Sequence, residues 1–310
     1  MANTVVTITL NPTIDKNYFV DRVLPDHKLR SKNPTSDPGG GGINVSKGIK
    51  ELGGQSIALF PSGGRTGKFL EDLLTQAGIQ HQAFANEEET RESLTISETS
   101  SNNQYRVVTE GPTVNMKIVD EILEACKKLK PDFLVASGSL PKGLSSDVYA
   151  RFASLAKKMD SKFVLDTTGD ALKAAADEGV FFLKPNLREL SMLSNVEELE
   201  LDQVDEAAKK LIDNGWCQAV VVSLGAAGAM LATKNHFIHY KTPTIKKRST
   251  VGAGDSMVAG IVWALQSGFP NEDVVAWGVA CGSAATMNEG TRLFKKADAE
   301  KLFKWVKSHS

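Results

Sequence analysis

Short apolar runs rich in β-branched residues alternate with amphipathic helical patterns along most of the chain, and this alternation constrains the fold more than any other feature. VVTITL (5–10), SIALF (56–60), FLVASG (133–138), FVLD (163–166), VFFLKP (180–185) and AVVVSL (219–224) read as buried strands. TGKFLEDLLTQAG (66–78) and VDEILEACKKLK (119–130) read as helices between such strands. Apolar strands separated by helices predict an α/β protein, with a mainly parallel central sheet and helices on both faces. In such sheets ligands bind beyond the carboxyl ends of the strands. Residues 16–37 and 91–109 break the rhythm, alternating polar and apolar residues with no helix between, and predict hairpins standing off the main sheet. No repeat, low-complexity tract or linker divides the 310 residues. One domain over 1–310, with these two insertions as a discontinuous β element, is expected.

Several function classes drop out on composition. With 36 basic and 37 acidic residues the formal net charge is −1, so no basic excess exists to hold nucleic acid. The opening MANTVVTITLNPTID lacks the basic start and long apolar stretch of a signal peptide. The longest apolar run, 219–232, is broken by Ser223, Gly225 and Gly228 and is shorter than the roughly 20 residues a membrane span needs. Cys126, Cys217 and Cys281 are far apart and odd in number. They suit thiols in a reducing cytoplasm better than a disulfide framework or a zinc site.

Two glycine-rich strings carry the chemistry. In STVGAGDSMVAGIVWAL (249–265), Gly252 and Gly254 permit a tight turn, and an apolar helix pattern begins near Asp255. A helix start offers free N–H groups and partial positive charge, which favour a phosphate. A carboxylate there would repel that anion unless it serves as a general base toward an attacking hydroxyl. Asp255 is also a favoured helix cap, and the residues alone leave both roles open. In PGGGGINVSKGIKELGG (38–54), four glycines precede a helix that holds Asn44 in its first turn. They serve either a flexible hinge or close approach of backbone amides to a ligand. Neither string fits G-x-G-x-x-G, and GGRTGKF (63–69) has the wrong spacing for a Walker loop, which disfavours a NAD enzyme or a P-loop ATPase. LKPNLREL (183–190), with Lys184, Asn186 and Glu189, follows a strand and opens a helix; VVSLGAAGAM (221–230), with Ser223, Gly225 and Gly228, is read the same way. Ordinary strand-end turns would also explain both.

Together these strings resemble the ribokinase-like carbohydrate kinases of the PfkB family, over nearly the whole chain from TLNPTID to NEGTRL. SGSLPKG (137–143), DTTGDAL (166–172) and KPNLREL fall in that family's order. The resemblance implies an ATP-dependent kinase in which Asp255 is the base and Gly252, Ala253 and Gly254 form an anion hole for the γ-phosphate. It implies an ATP site lined by Lys184, Asn186, Ser223, Gly225, Gly228, Thr250 and Asn288, with Glu189 ordering Mg²⁺ through water. It further implies a K⁺ site, mostly of backbone carbonyls, at Ser249, Val251, Ala285, Asn288, Gly290 and Arg292. The two insertions would form a lid that doubles as a homodimer contact.

The acceptor is read from charge. A sugar phosphate needs Arg and Lys to neutralise its dianion. Lys28 and Arg30 lie in the first insertion, Arg91 and Arg106 in the second. Each taken singly is equally a solvated charge. By the resemblance, Asp15, Gly39, Gly40, Asn44, Arg91 and Ser139 would contact the sugar phosphate. HKLRSKNP, PGGGGINV, QYRVV and NEGTRL look most like the minor bacterial 6-phosphofructokinase branch. The 1-phosphofructokinase and tagatose-6-phosphate kinase branches more often carry a Lys within the glycine loop, where this chain has Gly40, Gly41 and Gly42. Fructose 6-phosphate is therefore the expected acceptor, and the other two ketohexose phosphates are the alternatives. A non-catalytic sugar-phosphate sensor is a rival of another class, and the GAGD string speaks against it. A hydride-transferring dehydrogenase is a remote third.

Overall fold

A computed structural model describes residues 3–101 and 103–309. Residues 1, 2, 102 and 310 of the expected domain, 102 within the second insertion, lie outside the described residues. The strands run β1 Val5–Ile8, β2 Thr13–Val20, β3 Lys32–Gly39, β4 Ile57–Gly63, β5 Gln80–Asn86, β6 Arg91–Glu98, β7 Gln104–Val108, β8 Phe133–Ser137, β9 Lys162–Asp166, β10 Val180–Leu183, β11 Cys217–Ser223, β12 Ala229–Thr233 and β13 Phe237–Tyr240. The α-helices are α1 Gly41–Glu51, α2 Gly64–Gln76, α3 Met116–Leu129, α4 Val148–Lys158, α5 Gly169–Glu178, α6 Leu187–Leu193, α7 Val204–Asp213, α8 Ala253–Gln266, α9 Asn271–Ala285 and α10 Lys296–His309.

Nine strands form the main sheet in the order β13-β12-β11-β10-β9-β8-β1-β4-β5. The seven from β11 to β5 are parallel, and β12 and β13 turn back antiparallel at one edge. The apolar runs are continuous because both faces are covered. Side chains alternate across a strand, so Phe133 and Val135 join one core with α1, α8, α9 and α10. Leu134 and Ala136 join the other, with α3, α4, α5 and α7. Helix ends follow local chemistry: Asn115 caps α3 by accepting from the Ile118 N–H at 3.2 Å, and Lys130 ends it in the left-handed region.

The two insertions form a separate four-stranded sheet, order β3-β2-β6-β7, built from two antiparallel hairpins joined by parallel pairing of β2 with β6. Ile14 on β2 packs with Ile43, Phe60 and Leu70 beside the main sheet. One local expectation needs correcting. The segment after Ser223 does not open an α-helix. Gly225 and Gly228 take positive φ (60° and 107°) around a 3₁₀ turn, and the chain reverses into β12, pairing Ser223 with Ala229. Among the described residues no helix is long and apolar enough to cross a membrane.

Candidate active site

The motif residues gather at the carboxyl ends of the parallel strands. Gly252, left-handed at φ 72°, turns the chain into α8, and Asp255 lies half-buried in its first turn. Two neighbouring elements hold its carboxylate. Asn44 of α1 donates its Nδ2–H to Oδ2 at 2.9 Å, and Ser137, at the end of β8, donates its hydroxyl to Oδ1 at 3.3 Å. Burial, together with the nearby Asp166 carboxylate, pushes the Asp255 carboxyl up to about 6, against the pull of Asn44, Lys184 and Ser137. A carboxyl in that range is ionised at neutral pH yet more basic than a solvated one, as general-base work requires.

On one side of Asp255 lies a cavity of about 290 Å³, whose wall includes Asn186, Ser223, Gly225, Gly228, Thr250, Ala253 and Gly254. These seven come from three separate segments of the chain, yet they meet on one surface together with the apolar Met257 and Val279. Lys184 is buried beside it, its Nζ 3.0 Å from Asp166 Oδ1. Burial works to depress the Lys184 ammonium, but Asp166, with Glu189 and Asp255, outweighs it and raises the pKa. Asn186 and Glu189 form a reciprocal capping box at the start of α6. Burial raises the Glu189 carboxyl, and the negative charge of Asp166 adds to this. Asn288 is placed differently from expectation. Its Nδ2 donates to the carbonyls of Ala284 and Leu293 (3.2 and 2.8 Å), so it braces the loop after α9. A larger cavity, about 730 Å³, lies at the opposite, amino-terminal ends of β9, β10 and β11, around Lys157, Lys162 and Lys234, and contains none of the motif residues.

On the other side of Asp255 stands the small sheet. Asp15 of β2 faces Asp37 of β3. Burial pushes the Asp15 carboxyl up to about 6, opposed by Lys47 and Arg91 and, more weakly, Arg106. Gly39 leaves room for it, since a Cβ there would lie 2.2 Å from Asp15 Oδ2. Arg91 donates to the carbonyls of Thr109 and Asn11 (3.3 and 3.2 Å), while its Nε–H is buried without a partner. Ser139 accepts from Asn11 Nδ2 at 3.4 Å. Lys28 and Arg30 sit in the exposed segment 21–31, at the hairpin tip remote from Asp15. Glycines of the second string are packed closely against protein: a Cβ on Gly42 would stand 2.4 Å from the Ile8 carbonyl oxygen, one on Gly41 2.3 Å from Ser137 Oγ, and Gly40 takes φ 107°. The segments expected around a monovalent cation do meet, because the N–H groups of Arg248 and Ser249 donate to the Thr286 carbonyl at 2.8 and 3.3 Å.

The pfkB family carbohydrate kinase model matches residues 3–298. The chain belongs to the PfkB family of carbohydrate kinases. It is 38% identical over 304 residues to the ATP-dependent 6-phosphofructokinase isozyme 2 of Escherichia coli, covering 97% of this chain and 98% of that one. The crystal structure of phosphofructokinase-2 from Escherichia coli in complex with substrates and products superposes with a TM-score of 0.93 at 37% identity, covering 98% and 99% of the two chains. A 1-phosphofructokinase of Bacillus subtilis is more distant, 32% identical over 293 residues (94% and 95% of the two chains). As a PfkB kinase with the ribokinase-like fold, the chain is a phosphotransferase acting on a sugar hydroxyl, and membership implies ATP and a divalent cation.

Sequence reasoning missed three groups in this site. Asp166, at the end of β9, pairs with Lys184. Ser137 holds Asp255. Lys47 of α1 lies among Asp15, Asp37 and Asp255, which oppose the effect of its burial, and donates to the Pro38 carbonyl at 2.9 Å. For Asp166 and Ser137 the available signal was a polar residue closing an apolar strand, where α/β sheets bind ligands. For Lys47 the signal is its spacing, one turn beyond Asn44 on α1.

Proposed function

We propose that this kinase transfers the γ-phosphoryl group of ATP to the C1 hydroxyl of fructose 6-phosphate, giving ADP and fructose 1,6-bisphosphate. The observation that carries the reading is the Asp255 carboxylate, braced by Asn44 and Ser137 at a glycine-initiated helix start, between the cavity and the small sheet. Asp255 takes the hydroxyl proton while the hydroxyl oxygen attacks phosphorus in line, and the N–H groups of the Gly252–Asp255 turn receive the charge of the travelling phosphoryl group. Asn186, Ser223, Gly225, Gly228 and Thr250 hold the nucleotide, with Lys184 toward its phosphates. Mg²⁺, when bound, offsets phosphate charge, and Glu189 and Asp166 are the carboxylates suited to hold it through water. The K⁺ reading at 249–251 and 285–292 rests on the junction of those two segments.

One observation favours a phosphorylated acceptor: the Arg91 guanidinium presents a buried, unpartnered Nε–H near Asp15. Among the sugar phosphates, fructose 6-phosphate is favoured over fructose 1-phosphate by the greater identity to a 6-phosphofructokinase than to a 1-phosphofructokinase. Asp15 would hold sugar hydroxyls, and the small sheet would serve as a lid. Its outer side exposes Tyr105 and Val107 on β7, and the hairpin loop exposes Leu24 and Leu29. We assign that apolar patch to a second copy of this chain, a homodimer through the lid. Three free, buried cysteines suit a cytoplasmic setting. The test is ADP release from fructose 6-phosphate, tagatose 6-phosphate, fructose 1-phosphate and fructose, with and without K⁺. Fructose 6-phosphate should give the highest kcat/KM, and Asp255→Asn should lower turnover about 10²–10⁴-fold while still binding ATP. Near-normal turnover in that variant would remove Asp255 from its role.

A further inference from the structure

We propose that Asn17 is a positioning residue, latching the small sheet to the loop that borders the phosphate-transfer turn, so that seating of the acceptor and ordering of that turn are coupled. The inference rests on the kinase reading above. Asn17 lies on β2 two residues from Asp15, hence on the same face. It is only 2% exposed although polar. Its Nδ2 donates to Thr291 Oγ1 at 2.8 Å and lies 3.3 Å from both Thr35 Oγ1 and Asp37 Oδ2. Thr291, also buried, donates onward to Asp37 Oδ2 at 3.4 Å.

The loop so gripped is in turn bonded to the entry of α8. The Arg248 and Ser249 N–H groups donate to Thr286 at the loop's start. The Ser249 hydroxyl also donates to Gln104 Oε1 of β7 at 3.3 Å and accepts from the Val251 N–H at 3.2 Å. The small sheet therefore holds the segment leading to Gly252 from two strands. The contact leaves little slack: a Cβ on Gly290 would stand 2.9 Å from Asn17 Oδ1. Asn17 Oδ1 itself is buried without a partner. An apolar join, like the one around Ile14 and Phe60, would tie the sheets together without that cost, so stability alone does not account for this polar knot. Its placement does, because Asp37 belongs both to the knot and to the strand pair that faces the acceptor through Asp15.

The test compares Asn17→Ala, Thr291→Val, the double variant and Thr291→Ser in steady-state assays with fructose 6-phosphate and ATP, alongside hydrogen exchange of peptides covering 286–292. Asn17→Ala and Thr291→Val should each raise the acceptor KM and lower kcat by roughly 10-fold, with the ATP KM within about 2-fold, and the double variant should be no worse than the worse single. Thr291→Ser, which keeps the hydroxyl, should match the parent. Exchange at 286–292 should quicken in Asn17→Ala without ligand, and fructose 6-phosphate should slow it in the parent only. Additive losses, an unchanged acceptor KM, or unaltered ligand-free exchange would each overturn the latch. A parent that ignores fructose 6-phosphate but shows the ligand-free exchange difference would instead overturn the acceptor assignment and leave the latch standing.

Discussion

Replacing Asn44 by Ala tests whether the basicity of Asp255 is set by its surroundings. The Asn44 amide makes the shorter of the two side-chain hydrogen bonds to that carboxylate, 2.9 Å against 3.3 Å from Ser137. It stabilises the charged form and so opposes the burial that pushes the carboxyl up to about 6. A hydrogen bond to a charged group is worth about 1.5–3 kcal/mol, and about 1.4 kcal/mol corresponds to one pKa unit. The full loss would move the pKa by about 1–2 units, and water entering the half-open site recovers part of this, leaving a shift of about one unit upward. The sign follows from the role: a base works only when ionised, so activity falls as pH drops through its pKa. The acid limb should move from near pH 6 to about pH 7. Asp15 titrates in the same range, so the assay is kcat/KM for ATP at saturating acceptor, which occupies Asp15, from pH 5 to pH 9. Turnover on the alkaline plateau should stay within about 10-fold of the parent, because the base is ionised there in both proteins. An acid limb that stays in place or moves to lower pH would refute the argument.

Arg91→Ala should raise the KM for fructose 6-phosphate by about 10–100-fold, the loss of a charge-assisted hydrogen bond, and leave the ATP KM near its parent value; an equal rise with unphosphorylated fructose would remove Arg91 from phosphate recognition. Val107→Asp on the exposed strand β7 should shift the protein to monomers in sedimentation velocity, since a charge in a desolvated apolar contact is strongly unfavourable. An unchanged oligomer would place the interface elsewhere.

The main sheet was legible because covered parallel strands must be apolar on both faces; Phe133–Ser137 and Cys217–Ser223 show this directly. The strands toward the margins of the sheet were not. Gln80–Asn86 reads QHQAFAN, with no β-branched residue, and is a strand only because Ile57–Gly63 offers it a partner. Ala229–Thr233 was hidden in an apolar run that its positive-φ glycines fold back on itself. In the site, glycine strings and strand-end polar residues could be found because tight turns and helix starts leave local signatures. Pairings between distant segments leave none. Asn44 reads as a ligand-facing residue in its helix, yet it meets Asp255 across 211 positions of chain. Asn17 and Thr291 are separated by 274 and carry no mutual sign in sequence.

The charges around the cavity make a divalent cation part of the reaction. Asp166, Glu189 and Asp255 act on the buried ammonium of Lys184, and Lys247 also lines the cavity, so three carboxylates stand against two cations where a triphosphate would lie. The partial positive charge of a helix start is about half an elementary charge, too little to reverse that excess. Among the described residues no three acidic, His or Cys side chains form a cage of their own. Magnesium is commonly held by one or two carboxylates together with substrate phosphates. A cation arriving with the nucleotide would satisfy both partners, turning the acidic wall from a repulsive surface into a ligand. ATP should therefore bind at least about 10-fold more weakly in excess EDTA than with Mg²⁺ in calorimetric titration, each factor of ten being about 1.4 kcal/mol. Equal affinity in the two titrations would mean that Lys184 and the α8 amides carry the phosphates alone, and that the carboxylates face away from them.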